Sequence, residues 1–217
     1  NDSPEANKKM LAALSQLAPE DEAGVDFDAK IVRHGNGDIN STNPLLFSPT
    51  VTETEYGDLT AFSVLAFDQD MQFFGPADRI VSWQSTKDGL IDKIVLRDDL
   101  TWSDGKPLTA HDIEFSFKVV MTDHPLLILP SARQTMDQIK AVVAYDDRTV
   151  YYFHKLPTAI AFQNILFNVL PKHIYEESLR EDPSMKNSER HSQLEDHPVT
   201  CGPYELVSRK KGQEFVL

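Results

Sequence analysis

The residues that could carry nucleophilic chemistry are few, and the single cysteine is the most specific of them. Cys201 follows Thr200 and precedes the dipeptide Gly202-Pro203. A nucleophilic cysteine needs a neighbouring base and usually a helix N-terminus that stabilises its thiolate. Because a Gly-Pro turn that leads into a predicted strand supplies neither, we expect Cys201 to be an inert, partly buried thiol. One cysteine also excludes an internal disulfide and a cysteine-based zinc site.

Histidines and acids could hold a metal ion, but their spacing does not favour one. His111 and Asp112 are adjacent on a predicted helix, so their side chains do not stack over a shared ion. His191 and His197 lie in a polar segment that we interpret as a solvated loop. The chain contains no glycine-rich phosphate loop and no dinucleotide fingerprint. The sequence therefore predicts no resident metal ion and no cofactor.

Paired carboxylates are the remaining basis for catalysis. The 217 residues include 34 Asp and Glu against 21 Lys and Arg, which gives a formal net charge of −13. Acid–base pairs of the glycosidase type need two carboxyl groups about 5–9.5 Å apart, and so many acids nominate no particular pair. An extracellular hydrolase and an acidic protein-interaction domain therefore stay open as alternative functions. The negative charge repels phosphate and argues against nucleic acid as a partner.

The elements that would position these residues are strands and helices in irregular alternation. We predict strands at Lys30–Arg33 and Leu90–Leu96, and a hairpin over residues 139–154. The clearest helix begins at Thr109, where Asp112 three residues later completes a capping box. This order of elements predicts an α/β or α+β fold with mixed sheets.

The segment Trp102-Ser103-Asp104-Gly105 could be a ligand-stacking loop, but its turn chemistry favours a structural role. Asp-Gly is a strong turn former, and a tryptophan buries a large apolar surface. We expect Trp102 to pack beneath the turn, in one core with Phe117 of the following helix.

Both ends of the chain give separate indications. Residues 1–28 hold seven acids and two bases, which is typical of a solvated tether or a short surface helix. A partner-binding helix is the alternative for this segment. The chain begins with Asn1 rather than Met and ends in a predicted hairpin of Glu205–Val207 and Glu214–Leu217. We therefore expect a fragment of a longer protein.

A central stretch resembles the signature of a known family. Residues 96–117 read LRDDLTWSDGKPLTAHDIEFSF. This run is similar to the pattern of the family 5 extracellular solute-binding proteins, the oligopeptide-, dipeptide- and nickel-binding receptors of ABC importers. Shorter blocks match in the expected order, at Asn43-Pro44-Leu45, Ser82-Trp83, Leu170–Ile174 and Thr200–Leu206. The resemblance covers about residues 29–217.

Three positions depart from the family pattern. Thr200 stands where the pattern has glycine, and Cys201 stands where it has threonine. Asp92 occupies a strand position that usually carries an aromatic residue. We expect all three departures to affect packing.

The resemblance implies part of lobe I of a clamshell of the type II periplasmic-binding-protein kind. Residues 1–28 would be the acidic N-terminal tether and 29–57 the first part of the lobe I core. Residues 58–198 would form an inserted α/β subdomain, and 199–217 the truncated return to the lobe I core. We expect Lys30–Arg33 and Tyr204–Val207 to share one mixed sheet.

The implied function is non-enzymatic binding. The protein would be the substrate-binding component of an ABC transporter, would bind peptides or peptide-like small molecules outside the cytoplasmic membrane, and would deliver them to a membrane permease. A periplasmic or extracellular location follows, and a membrane tether through the N-terminus is compatible with it.

The resemblance also implies where ligand binds. In peptide-binding members, the extended run after the Asn-Pro element borders the ligand, where backbone pairing holds a peptide without reading its side chains. The candidate ligand-binding residues in this sequence are Phe47, Ser48, Pro49, Thr50 and Val51.

Overall fold

The computed structural model describes eight ranges of the chain, all within one unit that spans Gly35–Leu217. The described residues are 38–45, 51–67, 70, 73–121, 137–157, 165, 167–181 and 189–217. The helices are α1 Val51–Thr60, α2 Ala110–Met121, α3 Lys172–Glu181 and α4 Glu189–Asp196. The strands are β1 Ala66–Phe67, β2 Phe73–Phe74, β3 Ile80–Ser85, β4 Ile91–Leu96, β5 Ile139–Ala144, β6 Thr149–His154, β7 Ser208–Lys210 and β8 Glu214–Val216.

A four-stranded sheet with the order β3-β4-β6-β5 organises the described residues, and all its pairs are antiparallel. The predicted strand over 90–96 and the predicted hairpin over 139–154 are confirmed. The hairpin turn forms because the Asp146 carboxylate accepts the N–H groups of Arg148 and Thr149 at 2.9 and 2.7 Å. Together with the helices, this sheet confirms the mixed α/β class.

Helix α2 begins where the capping box predicts. The Asp112 carboxylate accepts the Thr109 backbone N–H at 2.7 Å and the Thr109 hydroxyl at 3.1 Å. An acid in the first turn also suits the helix dipole. Ile113 and Phe117 follow on the buried face of the helix. Proline cannot continue a helix, so the sequence predicts that this helix ends before Pro125, which lies outside the described residues.

The main core forms between α2 and the inner face of the sheet. Trp102 and Phe117 are 3% and 8% exposed and belong to one apolar cluster with Ile94, Leu96 and Tyr152. Asp104-Gly105 forms the turn above the tryptophan, with Gly105 at a φ of 81°. The prediction of a buried tryptophan beneath a turn is therefore confirmed.

Side chains of α2 also fix the start of α3. The second oxygen of the Asp112 carboxylate accepts the Lys172 backbone N–H at 2.8 Å. The fully buried Ser116 hydroxyl accepts the Leu170 backbone N–H, also at 2.8 Å. These contacts join residues more than fifty positions apart, and no local sequence signal predicts them.

The polar segment around His191 and His197 differs from the predicted loop. Residues Glu189–Asp196 form helix α4, so the interpretation of this stretch as a solvated loop is wrong. Leu194 packs against a small apolar cluster that includes Tyr175 of α3. Tertiary packing therefore stabilises a helix that the polar sequence alone would not form.

The C-terminal hairpin is present but starts later than predicted. Strand β7 begins at Ser208 rather than at Glu205, and Gly212 with a φ of 73° lies in the turn before β8. Val207 contributes one ladder bond, from its N–H to the Val216 carbonyl at 2.8 Å. Lys30–Arg33 lie outside the described residues, so their pairing with this part of the chain stays a prediction.

None of the helices in the described ranges combines the length and apolar character that crossing a membrane requires.

Replacing Asp112 should destabilise the fold far more than replacing a nearby surface acid. In Asp112→Ala, the half-buried backbone N–H groups of Thr109 and Lys172 lose a charged acceptor. We expect a loss of about 3 kcal/mol in the free energy of unfolding, because hydrogen bonds to charged groups contribute about 1.5–3 kcal/mol each.

The matched control is Glu114→Gln on the same helix. Glu114 makes a surface ion pair with Lys118 at 2.7 Å, and such pairs contribute about 0.3–0.5 kcal/mol. Urea denaturation of both variants measures the difference. Equal losses would contradict the assigned role of Asp112.

Candidate functional site

The candidate ligand-binding run lies between two anchored segments. Phe47 to Thr50 are outside the described residues. Val51 is the first residue of helix α1, so the expectation that the extended run includes Val51 is wrong. On the N-terminal side, Asn43 to Leu45 form a turn whose tip is buried. The described residues therefore show the two segments that flank the run.

A buried carboxylate joins the two flanks. Glu53 of α1 is fully buried and accepts the N–H groups of Asn40 and Ser41 at 2.8 and 3.3 Å. Within the turn, the Ser41 hydroxyl accepts the Asn43 N–H, and the Asn43 side-chain oxygen accepts the Leu45 N–H, each at 3.0 Å. The chain before the run is thus tied to the helix that begins at Val51, the last residue of the run.

Residues from the far end of the chain complete this frame. Ser41 donates its hydroxyl to the Glu195 carboxylate at 2.6 Å, and the Thr42 hydroxyl donates to the Glu195 carbonyl at 2.6 Å. The Arg209 guanidinium donates to the carbonyls of Ile39 and Asn40. Helix α4 and the C-terminal hairpin therefore hold the first flank in place.

Three of the sequence blocks that carry the family resemblance meet at one junction. The Ser103 N–H donates to the Thr200 carbonyl at 2.8 Å, and the Thr200 N–H donates to the Ser103 hydroxyl at 3.0 Å. His173 Nε2 lies 2.7 Å from Asp104 Oδ2. The Trp-Ser-Asp-Gly turn is thus bonded to both the Leu-Pro-Lys-His block and the Gly-Pro-Tyr block, and its side chains are used for structure.

The ionisation of Asp104 fits this structural role. Partial burial acts to raise its pKa, but the hydrogen bonds from His173 and from the Lys106 N–H outweigh burial and lower the pKa below its usual value. Asp104 is therefore a carboxylate at neutral pH and is unsuited to donate a proton.

Cys201 has the environment of an unreactive thiol. Its Sγ donates to the Thr101 carbonyl at 3.1 Å, and burial raises its pKa to about 11. The prediction of a partly buried thiol is confirmed.

The family-atypical Asp92 proves to be part of a buried polar cluster. Asp92 and His154 are 3% and 5% exposed, and His154 Nε2 lies 2.6 Å from Asp92 Oδ2. The other carboxylate oxygen accepts the Trp83 indole N–H at 2.9 Å and the Ser85 hydroxyl. Its partners lie on the two neighbouring strands β3 and β6, and no local signal in the sequence indicates them.

The described residues hold no group of three His, Cys, Asp or Glu side chains arranged to bind a metal ion. His111 lies 3.4 Å from Asp147 and 4.0 Å from Glu114, as part of surface ion pairs. The buried carboxylates Glu53, Asp92 and Asp112 are all engaged by donors of this chain.

The sequence matches both a family model and a known protein. A model of the "Bacterial extracellular solute-binding proteins, family 5 Middle" matches residues 80–217. Protein XP55 of Streptomyces lividans is 27% identical over 176 residues, which are 81% of this chain and 30% of that protein.

Two solved structures share the fold of the chain. NikZ from Campylobacter jejuni, in complex with Ni(L-His), is 26% identical with a TM-score of 0.64, and the match covers 82% of this chain and 33% of NikZ. The ABC transporter substrate-binding protein CtaP from Listeria monocytogenes is 28% identical with a TM-score of 0.63. The match covers 82% of this chain and 34% of CtaP. The chain spans about a third of the length of the proteins it matches.

Cys201 should react slowly with iodoacetamide. With a pKa of about 11, its thiolate fraction at pH 7.5 is smaller than that of free cysteine, with a pKa of about 8.5, by a factor on the order of 100. Mass spectrometry of alkylated chain should show this slow rate in buffer and rapid alkylation in denaturant. A native rate equal to that of free cysteine would contradict the inert assignment.

Proposed function

Because the chain belongs to family 5 of the bacterial extracellular solute-binding proteins, we propose that it is part of the substrate-binding component of an ABC importer. It binds peptides or peptide-like small molecules outside the cytoplasmic membrane and passes them to a membrane permease. The observation that carries the proposal is the family match over residues 80–217, together with the fold shared with NikZ and CtaP.

The use of the polar side chains supports binding rather than catalysis. The described buried acids accept hydrogen bonds from backbone or neighbouring side chains, as Asp112 does from Thr109 and Lys172. A general acid or base must instead present its carboxyl group to a substrate. The hydrolase alternative therefore has no supporting pair among the described residues.

The anchored flanks suit a site that binds through its backbone. Glu53 and Glu195 fix the turn before the run, and helix α1 starts at Val51, the last residue of the run. Holding both ends of a five-residue run lowers the ordering cost of binding an extended ligand. We assign the ligand-contacting role to Phe47, Ser48, Pro49, Thr50 and Val51.

A ligand held by this chain alone would keep one solvated face. Clamshell receptors close two lobes around a ligand, so that contacts come from both sides and water is excluded. A ligand on one lobe still loses translational and rotational freedom, at a cost of about 4–15 kcal/mol. Half of the contacts do not offset this cost.

The 217-residue chain should therefore bind peptides only weakly. Calorimetry with a diverse peptide pool should show no dissociation constant below about 100 μM, which corresponds to roughly −5.5 kcal/mol. The full-length product of the gene should bind members of the same pool and should leave them uncleaved. Low-micromolar binding by the chain alone would contradict the two-lobe argument, and peptide cleavage would contradict the receptor assignment.

Proline substitutions test whether the run binds through its backbone. Successive N–H groups of an extended strand point to opposite edges, so only one of Phe47→Pro and Ser48→Pro should remove a donor to the ligand. In the full-length protein we expect that variant to lose about tenfold in peptide affinity, as for one lost hydrogen bond.

The controls are Phe47→Ala and Ser48→Ala, which keep both N–H groups and should retain affinity. Affinity for Ni(L-His), the ligand of NikZ, is measured in parallel. A larger loss in the alanine variants than in the proline variants would show side-chain recognition and contradict the proposal.

A further inference from the structure

The face of the central sheet that points away from helix α2 is apolar at its centre. Ile94 and Leu96 are buried positions of β4 and pack in the main core with Ile113 and Phe117 of α2. The residues that alternate with them, and their partners in the strand register, point to the opposite face. The apolar residues on that face form the outer patch, which consists of Ile91 and Val95 of β4, Val143 of β5, Tyr151 and Phe153 of β6, and Tyr145 beside them.

The outer patch lies outside the core of the described structure. None of its six residues belongs to either apolar cluster of the described residues, and Val143 and Tyr145 are 41% and 76% exposed. The Tyr151 ring lies beside its neighbours in the patch, with its centroid 6.2 Å from that of Tyr145 and 6.4 Å from that of Phe153. The open face of an antiparallel sheet is usually polar, so an exposed apolar patch in this place indicates a contact surface.

One cation lies among these apolar residues. Lys93 occupies β4 between Ile91 and Val95, opposite Tyr151 of β6. Its half-buried side chain makes no hydrogen bond or ion pair with the described residues. Asp92, the only acid in the four strands of this sheet, faces the core and is held by donors there. Burying an ammonium group without a hydrogen-bonded partner is costly, so any partner that covers the patch must bring an acceptor to Lys93.

The dimensions of the outer face fit a helix. Four strands of six residues, at about 4.8 Å per strand and about 3.4 Å per residue, form a face of roughly 19 by 20 Å. Helix α2, which packs on the inner face, has 12 residues and is therefore about 18 Å long. A helix of similar length fits the outer face. The projected area, about 400 Å², is below the roughly 800 Å² that each partner contributes to a standard interface, so we expect a transient contact.

A second copy of the chain fits the patch less well than a helix of another protein. A two-fold contact between two outer patches would bring Lys93 from both sides into one interface, without an acid from either patch to pair with it. Each copy also carries a net charge of −13, and like charges repel. A helix with one carboxylate supplies the acceptor and adds little repulsion, because surface charges are screened over about 8 Å at physiological ionic strength.

We propose that the outer patch is a docking surface for an apolar helix of another protein, and that this helix places a carboxylate against Lys93. The contact uses none of the residues assigned to ligand binding and does not depend on the proposed receptor function.

Three synthetic peptides test this chemistry. Each has roughly 14 residues, which is about 21 Å as a helix, with leucine along one face and alanine and glutamine elsewhere. They differ at one position beside the central leucine, which is glutamate, glutamine or lysine. Binding to the ¹⁵N-labelled chain is followed by NMR titration at physiological ionic strength.

We expect the glutamate peptide to bind at least about threefold more tightly than the glutamine peptide, as for a partly desolvated ion pair. It should shift the amide signals of Lys93, Val143 and Tyr151 and leave those of Ile113 and Phe117 on α2 in place. Equal affinities for the three peptides, or shifts centred on another surface, would overturn the proposal.

Two further measurements on the chain exclude other occupants. Dimerisation with rising concentration that shifts the same amide signals would assign the patch to a second copy. Binding of the patch to vesicles of phosphatidylcholine and phosphatidylglycerol would assign it to a lipid surface. Either result would overturn the proposal, and we expect neither.

Charge reversal tests the role of the lysine directly. Lys93→Glu should bind the lysine peptide more tightly than the glutamate peptide. The matched control Lys118→Glu makes the same change of charge on α2, where Lys118 pairs with Glu114 at 2.7 Å, and it should keep the preference of the parent chain. If both variants change preference, net charge rather than the patch selects the peptide and the proposal fails. If Lys93→Glu does not fold, Lys93→Gln takes its place and should bind the glutamate and glutamine peptides equally; a retained preference for glutamate would contradict the pairing.

Discussion

The buried carboxylate of Asp112 is the interaction on which the described structure depends most. Each of its oxygens accepts a backbone N–H, one at the start of its own helix and one at the start of α3. The helix it caps covers the sheet, and α3 carries His173 to the Trp-Ser-Asp-Gly turn. A single acid thereby sets where two helices begin and how the family-specific blocks meet.

The sequence predicted those features that neighbouring residues determine. The capping box at Thr109, the Asp104-Gly105 turn and the hairpin over 139–154 each depend on side chains a few positions apart. The sequence did not predict the features that depend on contacts between residues far apart in the chain. Helix α4 forms because Leu194 packs beside α3, and β7 starts at Ser208 because its pairing with β8 sets the register.

The candidate site also combines a feature that the sequence indicates locally with contacts between distant residues that it does not. The Asn-Pro element beside it was recognised in the sequence, but the Glu53 and Glu195 contacts that anchor this segment join residues 12 to 154 positions apart. The run itself has no motif, which agrees with the proposal of backbone pairing, because such pairing imposes no demand on side-chain type. The family of the chain is therefore visible in residues that form structural turns, whereas the proposed binding residues leave no pattern.

The close approach of Gly202 to helix α1 makes position 202 stricter about side-chain size than its two neighbours in the same block. The Gly202 N–H donates to the Thr60 carbonyl at 2.9 Å, and a Cβ atom at 202 would lie 2.5 Å from the Leu59 oxygen. Any side chain at 202 would therefore collide with backbone atoms that cannot rotate away. At positions 200 and 201 the bonds to Ser103 and Thr101 use the Thr200 backbone and the cysteine sulfur, so these contacts form without the glycine and threonine of the family pattern.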